Sequence, residues 1–471
     1  MTHNHAFHTP NAAGAAHRRD SLWALLWHDS CVTVWLTLLP LFRLFPFSSR
    51  SPLLFQQMTL STMKNSPYYL TFSTTINEWF RILNDLVETL DLMTQVQRQW
   101  KYLESIFMDS ADIRKQLPSE SAQFETINNS WVDIMNKLVK TRRVIDITQD
   151  EMLSRLNHMN AVLDKINHSL DQYLEKKRQL FPRFYFLSND DLLEILGQAR
   201  DPTEVNKHLR KCFAGIRTLE LLAPSKSGNK LYEVLGMLSA EGEEVRFNQP
   251  VVVEGEVETW LSEVERAMHE TLQKLLYVAI THVQKASHKK SALENWVKSA
   301  AGQLLIVSGQ IGWTAKCAAA LSDLAKNKRS MRRLKSEWHE YLNKLARYVR
   351  MDLDQVERLK LCALITIEVH ARDVIDRLKA ASKNKVGVNS FEWTSQLRFY
   401  FDRPQGDFGK CVVRQTNTSF NYGYEYLGAD GRLVITPLTD RCYITLTTAL
   451  HLSRGGSPQG PAGTGTWRYA C

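Results

Sequence analysis

The chain is poor in helix-breaking residues and in residues that build covalent or metal-bound scaffolds. Its 471 residues include only 21 glycines and 14 prolines, too few for a collagen-like or linker-rich polypeptide. No glycine occurs from Ala15 to Leu196, and no proline from Ser119 to Phe181 or from Val251 to Arg403. Gly and Pro are the least favourable residues inside a helix, so these gaps favour long helices. The seven cysteines (Cys31, Cys212, Cys317, Cys362, Cys411, Cys442, Cys471) lie far apart and form no CxxC pair. Neither a disulfide framework nor a thiolate zinc site is expected, and a reducing compartment fits best.

Charge of one sign does not dominate. The formal net charge is +9 and the pI about 9.1. That permits an acidic partner without identifying nucleic acid, which is not expected as a ligand. The 44% apolar content is ordinary globular composition, and the length allows about three domains. Long hydrophobic runs are also scarce. The membrane candidate is Ser21 to Phe47, but Asp29 and Arg43 bracket its longest uncharged run and Pro40 and Pro46 interrupt it. That run is shorter than the roughly 18–20 residues a span requires. No clean cleavage site supports a signal peptide. Residues 1–55 are therefore expected to be an atypical, unstructured leader, with no membrane role. Its histidines (His3, His5, His8, His17, His28) lack helical spacing and read as a solvated tail rather than a metal site.

What is present is helical periodicity. A helix is expected to open at Thr75-Ile76-Asn77-Glu78, with Thr75 capping and Glu78 reaching back. Its stripe is Ile76, Phe80, Leu83, Val87, Leu90, Met93, Val96, Trp100 and Leu103. A heptad seam follows at Met152, Leu156, Met159, Leu163, Ile166, Leu170 and Tyr173. About three heptads are marginal as a free coiled coil, so packing within a bundle of the same chain is preferred. Leu231–Leu235 and Val245–Phe247 flank a Glu241-Gly242 turn and predict a β-hairpin. Helix resumes at Trp260, with further helical runs over about Ala315–Val349 and Gln355–Ala381. Phe391-Glu392-Trp393 opens a β-rich segment, and Asp430-Gly431 predicts a hairpin between Tyr424–Leu427 and Leu433–Ile435.

The chemistry-bearing clusters are sparse. Asp190-Asp191 point different ways on a helix and read as a helix start capped by Ser188 or Asn189. His282 and His288 lack carboxylates at ligand spacing, and no nucleophile–His–acid set stands out. The densest basic run is Lys326, Lys328, Arg329, Arg332, Arg333 and Lys335, which reads as a solvated face or a dock for an acidic neighbour. The one chemical motif is Gly460-Pro461-Ala462-Gly463-Thr464-Gly465, the glycine-rich half of a phosphate loop. In a complete loop the backbone N–H groups wrap phosphates, a following Lys meets the β and γ charges, and a hydroxyl ligates Mg²⁺. Thr466 and Trp467 stand at those positions here, so phosphate binding is expected to be weak and hydrolysis absent.

Several segments read together in order carry a resemblance. They are Val96-Gln97-Arg98-Gln99-Trp100-Lys101-Tyr102-Leu103-Glu104, Asp112–Pro118, Phe181-Pro182-Arg183-Phe184-Tyr185-Phe186-Leu187-Ser188-Asn189-Asp190-Asp191, Asp201-Pro202, Glu392–Arg398, Tyr422–Gly428 and Pro437–Tyr443, leading into Gly460–Gly465. From about Gln56 to Gly465 the chain resembles the dynein heavy chain, closer to the axonemal than to the cytoplasmic branch. The resemblance implies a mainly α fold, with an elongated helical-bundle linker rod carrying a small β-hairpin insertion over 56–385. An incomplete α/β start of the first AAA+ module, with a β-rich segment, is implied over 386–465, followed by an aberrant tail at 466–471. In that family the linker lies across a ring of AAA+ modules and bends as ATP is bound and hydrolysed, driving movement along microtubules. The resemblance implies that Gly460, Pro461, Ala462, Gly463, Thr464 and Gly465 match the nucleotide loop. It implies that Pro437, Leu438 and Cys442 fall in a strand-and-loop segment beside the adenine of ATP. It further implies an AAA+ ring and other dynein chains as partners, microtubule contact only through regions outside this sequence, and a place in the cytoplasm, cytoskeleton and ciliary axoneme. The abrupt departures at both ends imply a truncated product or a misdrawn gene model.

Overall fold

A computed structural model describes residues 50–109, 111–140, 150–197, 202–224, 231–286, 290–382, 387–402 and 408–460. The membrane candidate, the early histidines, His288, Asp201, loop residues 461–465 and the 466–471 tail lie outside the described residues. The fold is mainly α, as expected. It divides into two compact units, one ending at Tyr173 and the other beginning at Leu174.

In the first unit α1 (Arg50–Lys64) packs on α2 (Tyr69–Asp109), which is followed by α3 (Ala111–Gln116) and α4 (Pro118–Lys140). The leader boundary placed at residue 55 thus falls inside a helix. Pro52 sits in the first turn of α1, where a missing N–H costs nothing. The expected start at Thr75 is also corrected. Helix α2 begins at Tyr69, just after Pro67, and Thr75 and Glu78 lie in its interior. No breaker separates Pro67 from Thr75, so helix propagates back to the proline. Burial along α2 grows towards its C-terminal half, where Val96, Trp100 and Leu103 are buried. The Trp100 ring lies tilted against that of Trp131 of α4, at 6.2 Å between centroids, and donates Nε1–H to Asn128 Oδ1 at 3.0 Å. Helix α5 (Asp150–Leu180) carries the heptad seam. Leu156, Met159, Leu163, Ile166 and Leu170 are buried within this single chain, and Gln99 Nε2 of α2 donates to Asp164 Oδ1 at 2.6 Å. The preference for packing within the chain is therefore met.

The second unit opens with a short 3₁₀ turn, Pro182–Phe186, and α6 (Asn189–Gly197). Ser188 caps α6: its Oγ accepts from Asp191 N at 3.2 Å and donates to Asp191 Oδ2 at 2.8 Å. Two single-turn helices, α7 (Pro202–Val205) and α8 (Leu209–Cys212), lead into an antiparallel sheet of β1 (Thr218–Leu222), β2 (Glu233–Leu238) and β3 (Glu244–Val252). The expected hairpin is β2–β3. Strand β1, a five-residue edge without alternation, is additional.

Five long helices follow: α9 (Val257–Ala286), α10 (Lys290–Ser299), α11 (Gly302–Asp323), α12 (Ser330–Tyr348) and α13 (Gln355–Ala381). The single run expected over 315–349 is two helices. The chain turns at Asp323–Asn327, where Asp323 O accepts from Asn327 N at 2.7 Å. Helix α11 is long and apolar enough to cross a membrane by composition alone, but it is buried against α9, α12, α13 and β4 (Arg398–Asp402). Two clusters fill the core. One joins Trp313 and Cys317 of α11 to Met331 and Trp338 of α12, Val374 and Ile375 of α13, and Trp393. The other joins Trp296 and Val297 of α10 to Leu305, Leu345, Leu361 and Leu364.

The β-rich segment is corrected in detail. Phe391–Thr394 is a short helix, α14, whose Trp393 plugs the first cluster. The second sheet is β4, β5 (Lys410–Gln415) and β6 (Thr418–Asn421), paired in sequence order. The hairpin predicted at Asp430-Gly431 does not form, and residues 422–436 lack regular strand. Glu425 O and Leu427 N bond instead to Gln303. The chain ends its described part with α15 (Pro437–His451) and an extended run to Gly460.

A carboxyl group is buried in this helical core. Glu368 of α13 is 1% exposed, its Oε1 would lie 3.0 Å from a Cβ placed on Gly309 of α11, and its Oε2 has no hydrogen-bond partner among the described residues. Burial pushes its pKa from 4.5 up to about 8, with Trp338 and Lys316 only partly opposing. The neutral form is therefore favoured in the fold. Its contribution to stability is complete below pH 4.5, declines as the unfolded chain ionises, and levels off above about pH 8. Glu368→Gln should flatten that decline, as read from urea midpoints across the same pH window. In the first unit, Leu163→Ala should cost about 3 kcal/mol by leaving a cavity, measured as a fall in urea midpoint.

Candidate functional site

The nucleotide-loop candidate begins where description ends, so Gly460 is placed and Pro461, Ala462, Gly463, Thr464 and Gly465 are not. Gly460 is exposed. The chain turns back after α15, so that Gly456 lies against the Leu446 side chain. Pro437, Leu438 and Cys442 sit on a helix, not on a strand and loop. Pro437 occupies the first turn of α15, and Thr436 caps it by accepting from Thr439 N at 3.3 Å while Thr439 Oγ1 accepts from Thr436 N at 3.3 Å. A capped N-terminus with Pro in the first turn is a strong helix start, which explains the correction. Leu438 and Cys442, four residues apart, share one helix face. Leu438 is 70% exposed and Val434 just before the helix 68%. Among the described residues no His/Cys/Asp/Glu group of three could hold a metal. At the Lys and hydroxyl positions of the complete loop the sequence has Thr466 and Trp467.

The segment preceding α15 is fixed by an extensive polar network. Arg183, in the 3₁₀ turn, grips Glu425 with both terminal guanidinium nitrogens, Nη1 to Oε1 at 2.9 Å and Nη2 to Oε2 at 2.6 Å. It also donates from Nε and Nη2 to Glu265 Oε1 of α9 at 3.1 and 2.9 Å, and lies 4.5 Å from the Phe213 ring centroid. Burial would lower the Arg183 pKa, but the hydrogen bonds to Glu425 and Glu265 outweigh it and hold the cation well above its ordinary value.

Next to it, Glu243 at the β2–β3 turn is 3% exposed. Its Oε1 accepts from Lys360 Nζ of α13 at 2.9 Å and from Gly302 N at the start of α11 at 2.8 Å, while Oε2 accepts from Tyr426 Oη at 3.0 Å. Lys360 also donates to Ala300 O at 3.1 Å. The Tyr426 hydroxyl is raised far above its ordinary pKa by burial and then by the Glu243 charge, so it stays a donor. Gln303 of α11 completes the clamp: Nε2 donates to Glu425 O at 2.7 Å and to Tyr422 Oη, and Oε1 accepts from Leu427 N at 3.0 Å. A Cβ on Gly215 would come 2.5 Å from Tyr426 O, so only glycine admits this close approach. Two backbone groups of the first predicted strand, Glu425 O and Leu427 N, are thus taken by Gln303 rather than by a partner strand.

A protein-family model described as the N-terminal region 2 of dynein heavy chains matches residues 53–279, and a model described as the hydrolytic ATP binding site of the dynein motor region matches residues 422–467. The flagellar inner arm I1 dynein-1-beta heavy chain of Chlamydomonas reinhardtii is 49% identical over 409 residues, 87% of this chain. The chain belongs to the dynein heavy chain family. Mouse dynein axonemal heavy chain 2 is 50% identical over 410 residues, whereas the cytoplasmic dynein heavy chain of Dictyostelium discoideum is 38% identical over 416. The higher identity lies with axonemal dynein heavy chains. This chain spans only 9% of the length of each of these relatives.

The Arg183–Glu425 and Glu243–Lys360–Tyr426 groups thus join the second matched region of this dynein sequence to the helices before it. Sequence reading missed them as a site, although Arg183, Glu425 and Tyr426 all lie in the segments that carried the family likeness. Lys360→Met should destabilise the second unit by about 3–5 kcal/mol, because it strands Glu243 uncompensated in the interior. Adding Glu243→Gln to that variant should restore part of the loss, as read by denaturant titration in a double-mutant cycle.

Proposed function

We propose that this chain is the mechanical linker segment of an axonemal dynein heavy chain. In that reading it couples ATP-driven changes in an AAA+ ring to minus-end-directed movement on microtubules, in the cytoskeleton of a cilium. Residues 56–385 form the lever and 386–465 the start of the first AAA+ module. Other dynein chains are its partners, and the chain alone is not a motor. The observation that carries this reading is the double clamp on Glu425 and Tyr426. Residues 422–427 open the part matched to the dynein ATP binding site, and they bond directly to Arg183, to Gln303 of α11 and to Glu243 at the β2–β3 turn, while Arg183 in turn bonds Glu265 of α9 and Glu243 bonds Lys360 of α13. A displacement of this segment by nucleotide therefore loads the helical body directly, since packed side chains resist deformation. A free connecting strand would dissipate it.

ATP is the family's ligand; here the side chains at the loop supply no cation for its phosphates. Fluorescent ATP should accordingly bind the isolated chain no tighter than about 1 mM, or roughly −4 kcal/mol. The lever role is tested by grafting this segment into the aligned position of an axonemal dynein heavy chain. Arg183→Ala with Glu425→Ala should slow microtubule gliding about tenfold or more while ATP hydrolysis persists, the signature of lost coupling rather than lost chemistry. Unchanged gliding velocity in that variant would sink the proposal.

A further inference from the structure

The turn between α11 and α12 gathers cations without partners. Lys326, Lys328, Arg329, Arg332 and Arg333 are all exposed, and none makes an ion pair among the described residues. Elsewhere on this unit exposed cations commonly meet carboxylates: Arg266 bonds Glu263 and Glu270, Arg246 bonds Glu220 and Glu244, and Lys211 bonds Asp191. Within the run itself only Lys335 is matched, by Asp376 at 2.9 Å. Asp323 is the one carboxylate in the same turn.

The placement also opposes local stability. Arg332 and Arg333 lie in the first turn of α12, Arg329 is its N-cap residue, and no acid occupies that turn. Cations at a helix N-terminus are repelled by its positive dipole end. Dipole and side chains therefore add into one strongly positive corner. The scaffold beneath is fixed. Ser330 Oγ donates to Ala320 O at 2.8 Å, Asn327 Oδ1 accepts from Arg329 N at 3.0 Å, and Met331, Leu334 and Trp338 are buried under the turn. Binding there would need little ordering of backbone.

The chemistry of the surroundings selects the partner. Base stacking needs exposed aromatic rings, and the nearest, Trp338, is 5% exposed. Membrane insertion needs exposed apolar side chains beside the cations, and no large one is exposed between Ser322 and Glu337 among the described residues. Arginine forks over a polar surface suit carboxylates. We infer that the α11–α12 corner is a docking surface for an acidic protein segment, a run of Asp and Glu side chains on another polypeptide. It is separate from the clamp and from the nucleotide-loop region.

The test uses the full 471-residue chain and a fluorescein-labelled Glu-rich peptide, read by anisotropy. The peptide should bind, and raising salt from about 0.05 M to about 0.5 M should weaken binding tenfold or more as screening shortens. Arg332→Gln/Arg333→Gln should weaken binding at low salt by about tenfold without lowering the melting temperature, since it removes cations from a helix N-terminus. Arg246→Gln/Arg266→Gln, which changes net charge equally at paired sites, should leave binding unchanged. The inference fails if the peptide does not bind at low salt, or if the second variant loses as much as the first. It fails equally if a single-stranded RNA oligonucleotide or phosphatidylserine vesicles bind this corner more tightly than the peptide.

Discussion

The second unit depends on one carboxylate. Glu243 is taken out of water at a hairpin turn, and that is tolerated only because a lysine, a backbone N–H and a tyrosine hydroxyl arrive together to satisfy it. Each donor comes from a different part of the chain: Lys360 from α13, Gly302 from the N-terminus of α11, Tyr426 from the irregular run before α15. A hydrophobic cluster would fill the same volume but accept many relative positions of its members. Hydrogen bonds at 2.8–3.0 Å impose one. The small sheet, two core helices and the approach to the nucleotide region are thereby held in a single register. The neighbouring Arg183 repeats the device with its two-pronged grip on Glu425.

Helices were legible in the sequence wherever an apolar stripe persisted and breakers were absent. The seam from Leu156 to Leu170 and the run over Gln355–Ala381 are the clearest cases, because periodicity alone dictates which face is buried. Boundaries were less legible. Thr75 has the chemistry of a cap, but a cap competes with continued helix, and propagation back to Pro67 won. Strand content was the harder problem. β1 is a short edge with no alternation, and the tyrosine-rich run near 424 has the composition of a strand yet bonds to a distant glutamine. Composition reports what a segment prefers; it does not report that Gln303 will outbid a neighbouring strand.

The candidate site divides in the same way. The glycine spacing at 460–465 and the helix-start residues at Pro437 were readable because they are local. That Leu438 and Cys442 share a helix face, rather than a strand, follows from the Thr436–Thr439 cap, whose chemistry was also local but was overlooked beside a β-rich reading. The clamp was not readable. Its partners lie 183 residues apart for Glu243 and Tyr426 and 242 apart for Arg183 and Glu425, and no short-range pattern relates them.

Those separations have a consequence during synthesis. A ribosome adding about 5–20 residues per second needs roughly tens of seconds between Arg183 and Glu425. Glu243 and Lys360 emerge within that interval, and until residue 426 follows they lack the tyrosine that completes their shell, while Gly215 faces an unfilled slot. Completion of the unit therefore waits on the arrival of the six-residue stretch 422–427.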